Sequence, residues 1–323
     1  VADLYIGWQE ALRSAGEKVL AYPLGDALTF YDSALLPAGP GRFRKALTAE
    51  QAVELATDRL AAALYKARPD VLFIVSGFFI DGALLAQARR DGTTVITLHT
   101  EEPYEHEREL ALAAHADLAL LTDPVNIDEF RAVTKAEHFG HAYRPAVHHS
   151  GPVDPVLACD FAFVGTAYPS RIRFLEAMDL EGVDVILGGN WTGLATDSPL
   201  RRHMATVDCL DNDTTAELYR SAKVGLNLYR REGEQVDGWA VGPREIEMAA
   251  CAMPFLRDPR PEGDELFPFL PTFTDPGEAS AALRWWLNHD DERQALASKA
   301  REAIADRTFD NHAARLLRLL ERK

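Results

Sequence analysis

The chain has 323 residues, 47% hydrophobic and 26% charged, a composition that suits globular folding, leaves room for two domains of ordinary size and excludes global disorder. Its 50 acidic against 34 basic residues leave a formal charge of −16, a surface that repels nucleic acid and anionic membranes unless basic groups gather in one cleft. No run approaches the roughly 18 apolar residues of a membrane span, the first residues lack the pattern of a signal peptide, and Cys159, Cys209 and Cys251 lie far apart without CxxC spacing, which reads as reduced core thiols in a cytoplasmic protein.

In chain order, Tyr5 to Ala15 reads as a helix and Val19 to Tyr22 as the strand after it. The first strand expected of an α/β domain is then absent, so the numbering is expected to begin inside the native protein. To about Ala146, apolar runs alternate with helical stretches. The runs are Val71 to Val75, Val95 to Leu98, Leu118 to Leu121 and Ala136 to Phe139. Between them lie Ala49 to Ala67, Asp81 to Arg90, Tyr104 to His115 and Asn126 to Val133. Such alternation implies a parallel sheet covered on both faces, with ligands beyond the carboxyl ends of its strands. His99, Glu101 and Glu102 directly follow a predicted strand and can accept a proton, so they are the best candidates for a general base; acids that favour a helix dipole are the favoured reading of this turn, which Glu105, His106 and Glu107 continue. His138, His141, His148 and His149 span a strand end and Pro145 with no HExxH pattern, so a linker is favoured over a metal site.

Gly151-Pro152-Val153-Asp154-Pro155 is the clearest breakpoint and divides the chain into domains 1–150 and 151–323. Phe161 to Thr166 reads as a strand ending in a glycine turn, followed by a helix start at Tyr168 to Leu175. Strand, small-residue loop and helix start make either a structural turn or an anion site, with N–H groups from the loop and helix and charge from arginine. Val183 to Leu187 is a strand running into Gly188-Gly189-Asn190-Trp191, where Gly189 permits close backbone approach. Trp191 either stacks on a ligand or is a core residue. Asp211-Asn212-Asp213 invites a metal reading, but Thr214 and Glu217 have capping-box spacing, so the acids lead into a helix from Thr214 to Ala222. Lys223 to Tyr229 is a strand ending near Asn227, and the loop from Arg230 to Ala240 follows it. Gly242-Pro243 opens a helix with Ile246, Ala249, Ala250 and Met253 on its apolar stripe and Arg244 and Glu247 on a flanking polar face. Pro254 ends it before a strand at Phe255-Leu256. Phe267 to Phe273 reads as another strand, and the tail from Glu278 is helical, with Leu283, Trp286 and Leu287 as core contacts.

Several of these segments resemble those of GT-B glycosyltransferases, in particular the CgeB/YkvP-type, glycosyltransferase family 1 branch. Glu247-Met248-Ala249-Ala250-Cys251-Ala252-Met253-Pro254 is similar to the family's E-A-x-A-C-G-x-P segment. Phe163-Val164-Gly165-Thr166 with Arg171 resembles its F-V-G-T-x-x-x-x-R, Gly188 to Trp191 its G-x-x-W, and Lys223 to Asn227 its K-x-G-L-N. Two departures stand out: Trp239 occupies the place of an earlier glutamate, and Ala252 that of the usual glycine.

The resemblance implies an α/β GT-B fold: two Rossmann-like domains with parallel sheets facing a central cleft, the last helix packing back on the first domain. It implies a metal-independent glycosyltransferase that needs no cofactor and takes a nucleotide-diphosphate sugar as donor, with Glu247 anchoring the ribose. A carboxylate can accept two hydrogen bonds from a 2′,3′-diol, which gives that role an independent physical sense. Gly165, Thr166, Arg171, Gly189, Trp191, Asn227, Arg230, Arg244 and Glu247 are expected to bind the donor. Arg244 is expected to stabilise the departing diphosphate, with His99 or Glu101 as the base of an inverting course. The first domain is expected to take the acceptor, which is a protein, a glycan, a metabolite or, against the charge, a modified base. The rivals are a sugar-nucleotide epimerase on the same fold and a non-catalytic nucleotide- or sugar-binding protein. A Rossmann dehydrogenase fails because no GxGxxG follows a strand.

Overall fold

The structure, a computed structural model, describes residues 2–205, 209–231 and 237–321. The chain forms two compact units, one of Gly16–Phe139 and one of Ala2–Ala15 together with Gly140–Lys323. The expected boundary at residue 150 thus lies within the second unit, and the first helix, α1 (Ala2–Ser14), belongs to the second unit as well.

The first unit opens with α2 (Leu24–Asp32) and an antiparallel hairpin of β1 (Leu35–Gly39) and β2 (Arg42–Lys45). Val19 to Tyr22 is not a strand: it belongs to no ladder among the described residues, Pro23 follows it, and the Tyr22 hydroxyl donates to the Ala56 carbonyl at 2.8 Å. α3 (Ala49–Ala67) starts at a capping box. Thr48 Oγ1 accepts the Gln51 amide at 3.2 Å, and Gln51 Oε1 accepts the Thr48 amide at 3.0 Å. β3 (Val71–Val75), α4 (Gly82–Arg90), β4 (Thr94–His99), α5 (His106–Ala113), β5 (Leu118–Leu121), α6 (Ile127–Val133) and β6 (Lys135–His138) then alternate. The strands form a parallel sheet in sequence order, β3-β4-β5-β6. β5 is buried throughout, as a parallel strand covered on both faces must be.

In the second unit, β7 (Cys159–Val164), α7 (Pro169–Ala177), β8 (Val185–Gly188), a 3-10 turn (Pro199–His203), α8 (Asn212–Ser221), β9 (Ala222–Asn227), α9 (Pro243–Ala250) and β10 (Phe255–Arg257) build a second parallel sheet. Its order is β10-β9-β7-β8. α10 (Pro261–Leu266), α11 (Pro276–Leu287), α12 (Asp290–Ala303) and α13 (Phe309–Glu321) complete it. One continuous core joins Phe161, Phe163, Leu226, Phe255, Leu283 and Trp286. Phe267 to Phe273 does not form a strand. Pro268 and Pro271 remove ladder donors, a single bridge links Thr272 to Arg257, and Phe267 and Phe273 fill the core from a turn. The terminal helix α13, expected on the first domain, packs against α1: the Phe309 ring lies 6.2 Å from Trp8, and a Cβ at Gly7 would come 2.3 Å from it.

Candidate functional site

In the second sheet the chain leaves β7 through α7 to reach β8 on one side, then returns through α8 to β9 on the other. The order of connections reverses between β7 and β9, and the crevice of an open α/β sheet lies beyond the carboxyl ends of the strands at such a reversal. The first unit's sheet shows no reversal among the described residues.

Three turns meet at this point. β7 runs from Val164 into Gly165-Thr166, β8 from Gly188 into Gly189, and β9 from Asn227 into Leu228-Tyr229-Arg230. The Gly165 amide donates to the Gly188 carbonyl, and the Ala167 amide to the Asn190 carbonyl, each at 2.9 Å. Gly189 takes φ +109°, and a Cβ there would lie 2.3 Å from the Gly165 carbonyl oxygen. Only glycine fits so close to a neighbouring backbone.

Two arginines from the first turns of two helices cross-link the strand ends. Arg171, on α7, donates from Nε to the Leu228 carbonyl at 2.9 Å and from Nη1 to the Thr166 carbonyl at 3.2 Å. Arg244, on α9, donates from Nε to the Val164 carbonyl at 2.5 Å and from Nη1 to Asn227 Oδ1. A Cβ at Gly165 would come 2.6 Å from Arg244 Nη2 and 3.4 Å from Arg171 Nη1, so glycine leaves room for both guanidinium groups. The Tyr168 ring carries Arg171 at 5.1 Å and Arg230 at 5.7 Å. Three cationic side chains therefore gather beside one turn of a chain whose formal charge is −16, although the Gly165, Ala167 and Tyr168 amides of that turn are already bonded to carbonyls. That is the chemistry of an anion site.

Glu247 follows Arg244 on α9 and is half-buried. Burial first, then the Glu247 charge, push up the Tyr219 hydroxyl, which puts this carboxylate close to α8. Asn227 is 1% exposed, and its Nδ2 has no hydrogen-bond partner among the described residues.

Beneath the β9 turn lies a layer of buried charge whose roles the sequence does not announce. The Glu245 carboxyl accepts the Gly242 amide at 2.8 Å and the Tyr229 hydroxyl through the same oxygen, Oε2. Burial outweighs these bonds and pushes Glu245 up to about 7. Asp258 accepts the Tyr229 amide at 3.2 Å and Arg231 at 2.5 Å, while Glu262 accepts the Val241 amide at 2.8 Å and Arg307 at 2.5 Å. Glu245 stands at the third helical position after Gly242, which is capping-box spacing and the one local signal that could have marked it.

Several expected site residues sit elsewhere. Trp191 is fully buried, edge-on to Phe163, with its indole N–H donated to the Gly188 carbonyl at 2.9 Å, so it is a core residue with no face for a base or sugar. In the first unit, His99 is likewise fully buried, its Nε2 2.8 Å from Thr97 Oγ1 and its ring 5.0 Å from that of Phe130. Burial lowers it to about 3, so it is a neutral interior histidine and not an accessible base. The Glu101 amide donates at 3.0 Å to Glu109, which also accepts the Thr100 amide at 2.9 Å. Glu109, fully buried and pushed up to about 8 chiefly by burial, holds this loop in shape. Beside it, His106 lies 2.8 Å from Glu102 Oε1 and 3.1 Å from Glu129 Oε2.

The Asp211 side chain accepts the Thr214 amide at 2.8 Å, so Asp211 rather than Thr214 caps α8, which begins at Asn212. Among the described residues no group of three or more His, Cys, Asp or Glu side chains is placed to hold a metal ion. Among the same residues no helix is long and apolar enough to cross a membrane.

Residues 171–318 match the model of a family described as glycosyl transferase-like. No curated protein matches the chain. Solved structures do. Sucrose-phosphate synthase from Thermosynechococcus elongatus is similar at TM-score 0.66 and 14% identity, over 100% of this chain and 93% of its own. The E. coli trehalose-6-phosphate structure bound with UDP-2-fluoro glucose matches at TM-score 0.60 and 13% identity, over 85% of this chain and 78% of its own. A protein from Listeria monocytogenes assigned as a UDP-N-acetylglucosamine 2-epimerase matches at TM-score 0.56 and 13% identity, over 85% of this chain and 79% of its own. The fold is GT-B, an α/β fold with parallel sheets, and the segment similar to the glycosyl transferase-like family lies within the second unit.

Proposed function

We propose that the protein is a nucleotide-sugar-dependent glycosyltransferase of the CgeB-like kind, whose donor binds at the carboxyl ends of β7 and β9. The observation that carries this reading is the pair of arginines, Arg171 and Arg244, bridging those strand ends above Gly165 at the reversal point of the sheet. The family-model match over 171–318 spans the same elements from α7 onward and supports it. So does the UDP-sugar held by the E. coli relative of the fold.

In this reading the Thr166 amide, Arg171 and Arg230 receive the diphosphate, while Gly165, whose amide is spent on the Gly188 carbonyl, leaves room for the guanidinium groups. Arg244 keeps the strand ends in register beneath it and offers Nη2 to the departing phosphate. The Glu247 carboxylate accepts both ribose hydroxyls. Positive charge and preorganised N–H groups stabilise the leaving diphosphate as the bond to the sugar breaks, without a metal ion. The acceptor is a hydroxyl or amine compound rather than a nucleic acid, which the −16 charge repels. Three free cysteines suit a reducing, cytoplasmic setting.

The epimerase reading has the Listeria relative in its favour and shares the same donor site. The test has two steps. A binding screen against UDP, GDP, dTDP, ADP and CMP is expected to find one selective diphosphate, with Glu247→Ala weakening it about tenfold, the worth of one charge-assisted bond. Unchanged affinity in the variant for every nucleotide would remove Glu247 from the site. Incubation with the matching nucleotide sugar then separates the two chemistries: free nucleotide diphosphate marks transfer, whereas an isomerised donor that accumulates without it marks epimerisation.

A further inference from the structure

The loop that follows β9 and the helix that carries Arg244 and Glu247 are joined by one carboxyl group. Glu245 is fully buried. Its Oε2 accepts the Tyr229 hydroxyl, from the second residue after β9, and the Gly242 amide, from the residue before α9, the latter at 2.8 Å. The Gly242 amide also lies 3.2 Å from the Tyr229 oxygen, so the three groups close a ring. Tyr229, in the turn after β9, and Gly242, at the start of α9, are therefore pinned to one another at this point. Just beyond the pin stand the two side chains that the donor site needs from α9. Glu245 itself is interior, and its Oε1 has no hydrogen-bond partner among the described residues.

We propose that Glu245 is the positioning residue of the nucleotide site: through Tyr229 and Gly242 it locks the turn after β9 to the start of α9, and so holds Arg244 across the ends of β7 and β9. The proposal rests on the donor-site reading above. It assigns no contact with substrate to Glu245 or Tyr229.

The same geometry makes the lock sensitive to proton concentration. The groups facing it are Tyr229 from the β9 turn, Arg257 from β10, Arg244 from its own helix, and Arg260, whose guanidinium lies 4.1 Å over the Tyr229 ring. Asp258 binds the Tyr229 amide from the residue after β10. Burial holds the Glu245 carboxyl at about 7 in the closed lock, against about 4.5 for an open, solvated one. A raised carboxyl favours closure fully below the open value. That advantage is lost as pH rises toward the closed value, and it levels off above it.

Two readouts on the full chain test this. The first needs no ligand: hydrogen exchange at Gly242 and the first turn of α9 in the wild type, Glu245→Ala, Glu245→Gln and Tyr229→Phe. Exchange at Gly242 is expected to accelerate at least tenfold in Glu245→Ala and several-fold in Tyr229→Phe. Glu245→Gln retains a carbonyl acceptor and is expected to restore most of the protection. The second is the affinity for UDP, or whichever diphosphate the screen selects, between pH 5 and 8. The ratio of wild-type to Glu245→Gln affinity is expected to fall several-fold from pH 5 to 7 and then to hold steady; taking the ratio cancels the titration of the nucleotide itself. Wild-type exchange rates in Glu245→Ala, or a ratio flat from pH 5 to 8, would overturn the proposal. If the wild type binds no nucleotide at all, the donor-site reading fails, while the exchange experiment still decides whether Glu245 locks the loop.

Discussion

At Gly189 the φ of +109° and the 2.3 Å approach to Gly165 leave no room for a side chain. Gly189→Ala is expected to cost about 1–3 kcal/mol, from overpacking and a disfavoured backbone angle together. It should also weaken nucleotide binding, because the turn it displaces is the one beneath the guanidinium groups; a urea midpoint and a UDP titration measure the two effects. Arg171 invites a sharper comparison. Two of its hydrogen bonds go to carbonyls of two different loops, Thr166 and Leu228, in the fork geometry of a guanidinium. Lysine is a point donor on a flexible stem, so Arg171→Lys is expected to lose most of the cross-link while keeping the charge. If the lysine variant binds the diphosphate as well as the wild type does, Arg171 acts through charge alone. These residue types were legible beforehand, since glycine at a strand end and arginine at a helix start carry local meaning. The fates of Trp191 and His99 were not. Both follow strands as ligand-binding residues do, and only the neighbours packed around each side chain make it interior.

Among the elements, the buried parallel strands were readable as apolar runs because a strand covered on both faces must be apolar at every position. β5, Leu118–Leu121, is the clearest instance. The errors have particular causes. Val19 to Tyr22 has strand-like residues but joins no ladder among the described residues, and a strand exists only as a pair. Phe267 to Phe273 has the apolar content but also Pro268 and Pro271, so its side chains enter the core without a ladder. The β1–β2 hairpin escaped notice because every residue in it is exposed, which leaves no burial pattern to write into the sequence. α1 and α13 form the element pair that most depends on tertiary contact: Trp8 and Phe309 are both almost fully buried against each other. Phe309→Ala is expected to cost about 3–5 kcal/mol, as large-to-small changes of buried aromatics do. It should appear as a lowered urea midpoint, and a loss under ~1 kcal/mol would mean the two helices contribute little to the second unit's stability.

Across the molecule, three buried groups set opposite limits on stability with pH. Glu109, pushed up to about 8, contributes fully below its ordinary value, and its contribution is lost as pH rises from there through about 8. Glu245 acts in the same direction and is spent by about 7. His99, lowered to about 3, contributes fully above its ordinary value of 6.5 and loses its contribution as pH falls through about 3. Urea midpoints taken from pH 4 to 9 are therefore expected to fall at both ends. Glu109→Gln should flatten the alkaline limb, and His99→Gln the acid limb, each by an amount on the order of a few kcal/mol. Parallel curves for wild type and Glu109→Gln would show that Glu109 titrates alike in the folded and unfolded chain.

The sequence by itself determined the strand–helix alternation, the parallel sheets, the division into two α/β halves and the list of motifs that resemble a sugar-nucleotide site. These are properties of local spacing, hydrophobic period and residue type, which act within a few turns of chain. Only the tertiary structure decided that β7 and β9 lie side by side at the reversal of the sheet, that Arg171 and Arg244 reach across them, and that Glu245 rather than a surface acid closes the ring with Tyr229 and Gly242. It also decided which polar residues are interior, and hence that Glu109 and His99 hold their uncommon protonation states. Burial and strand order depend on segments tens of residues apart, and desolvation depends on what surrounds a group in space; no local window of sequence contains either.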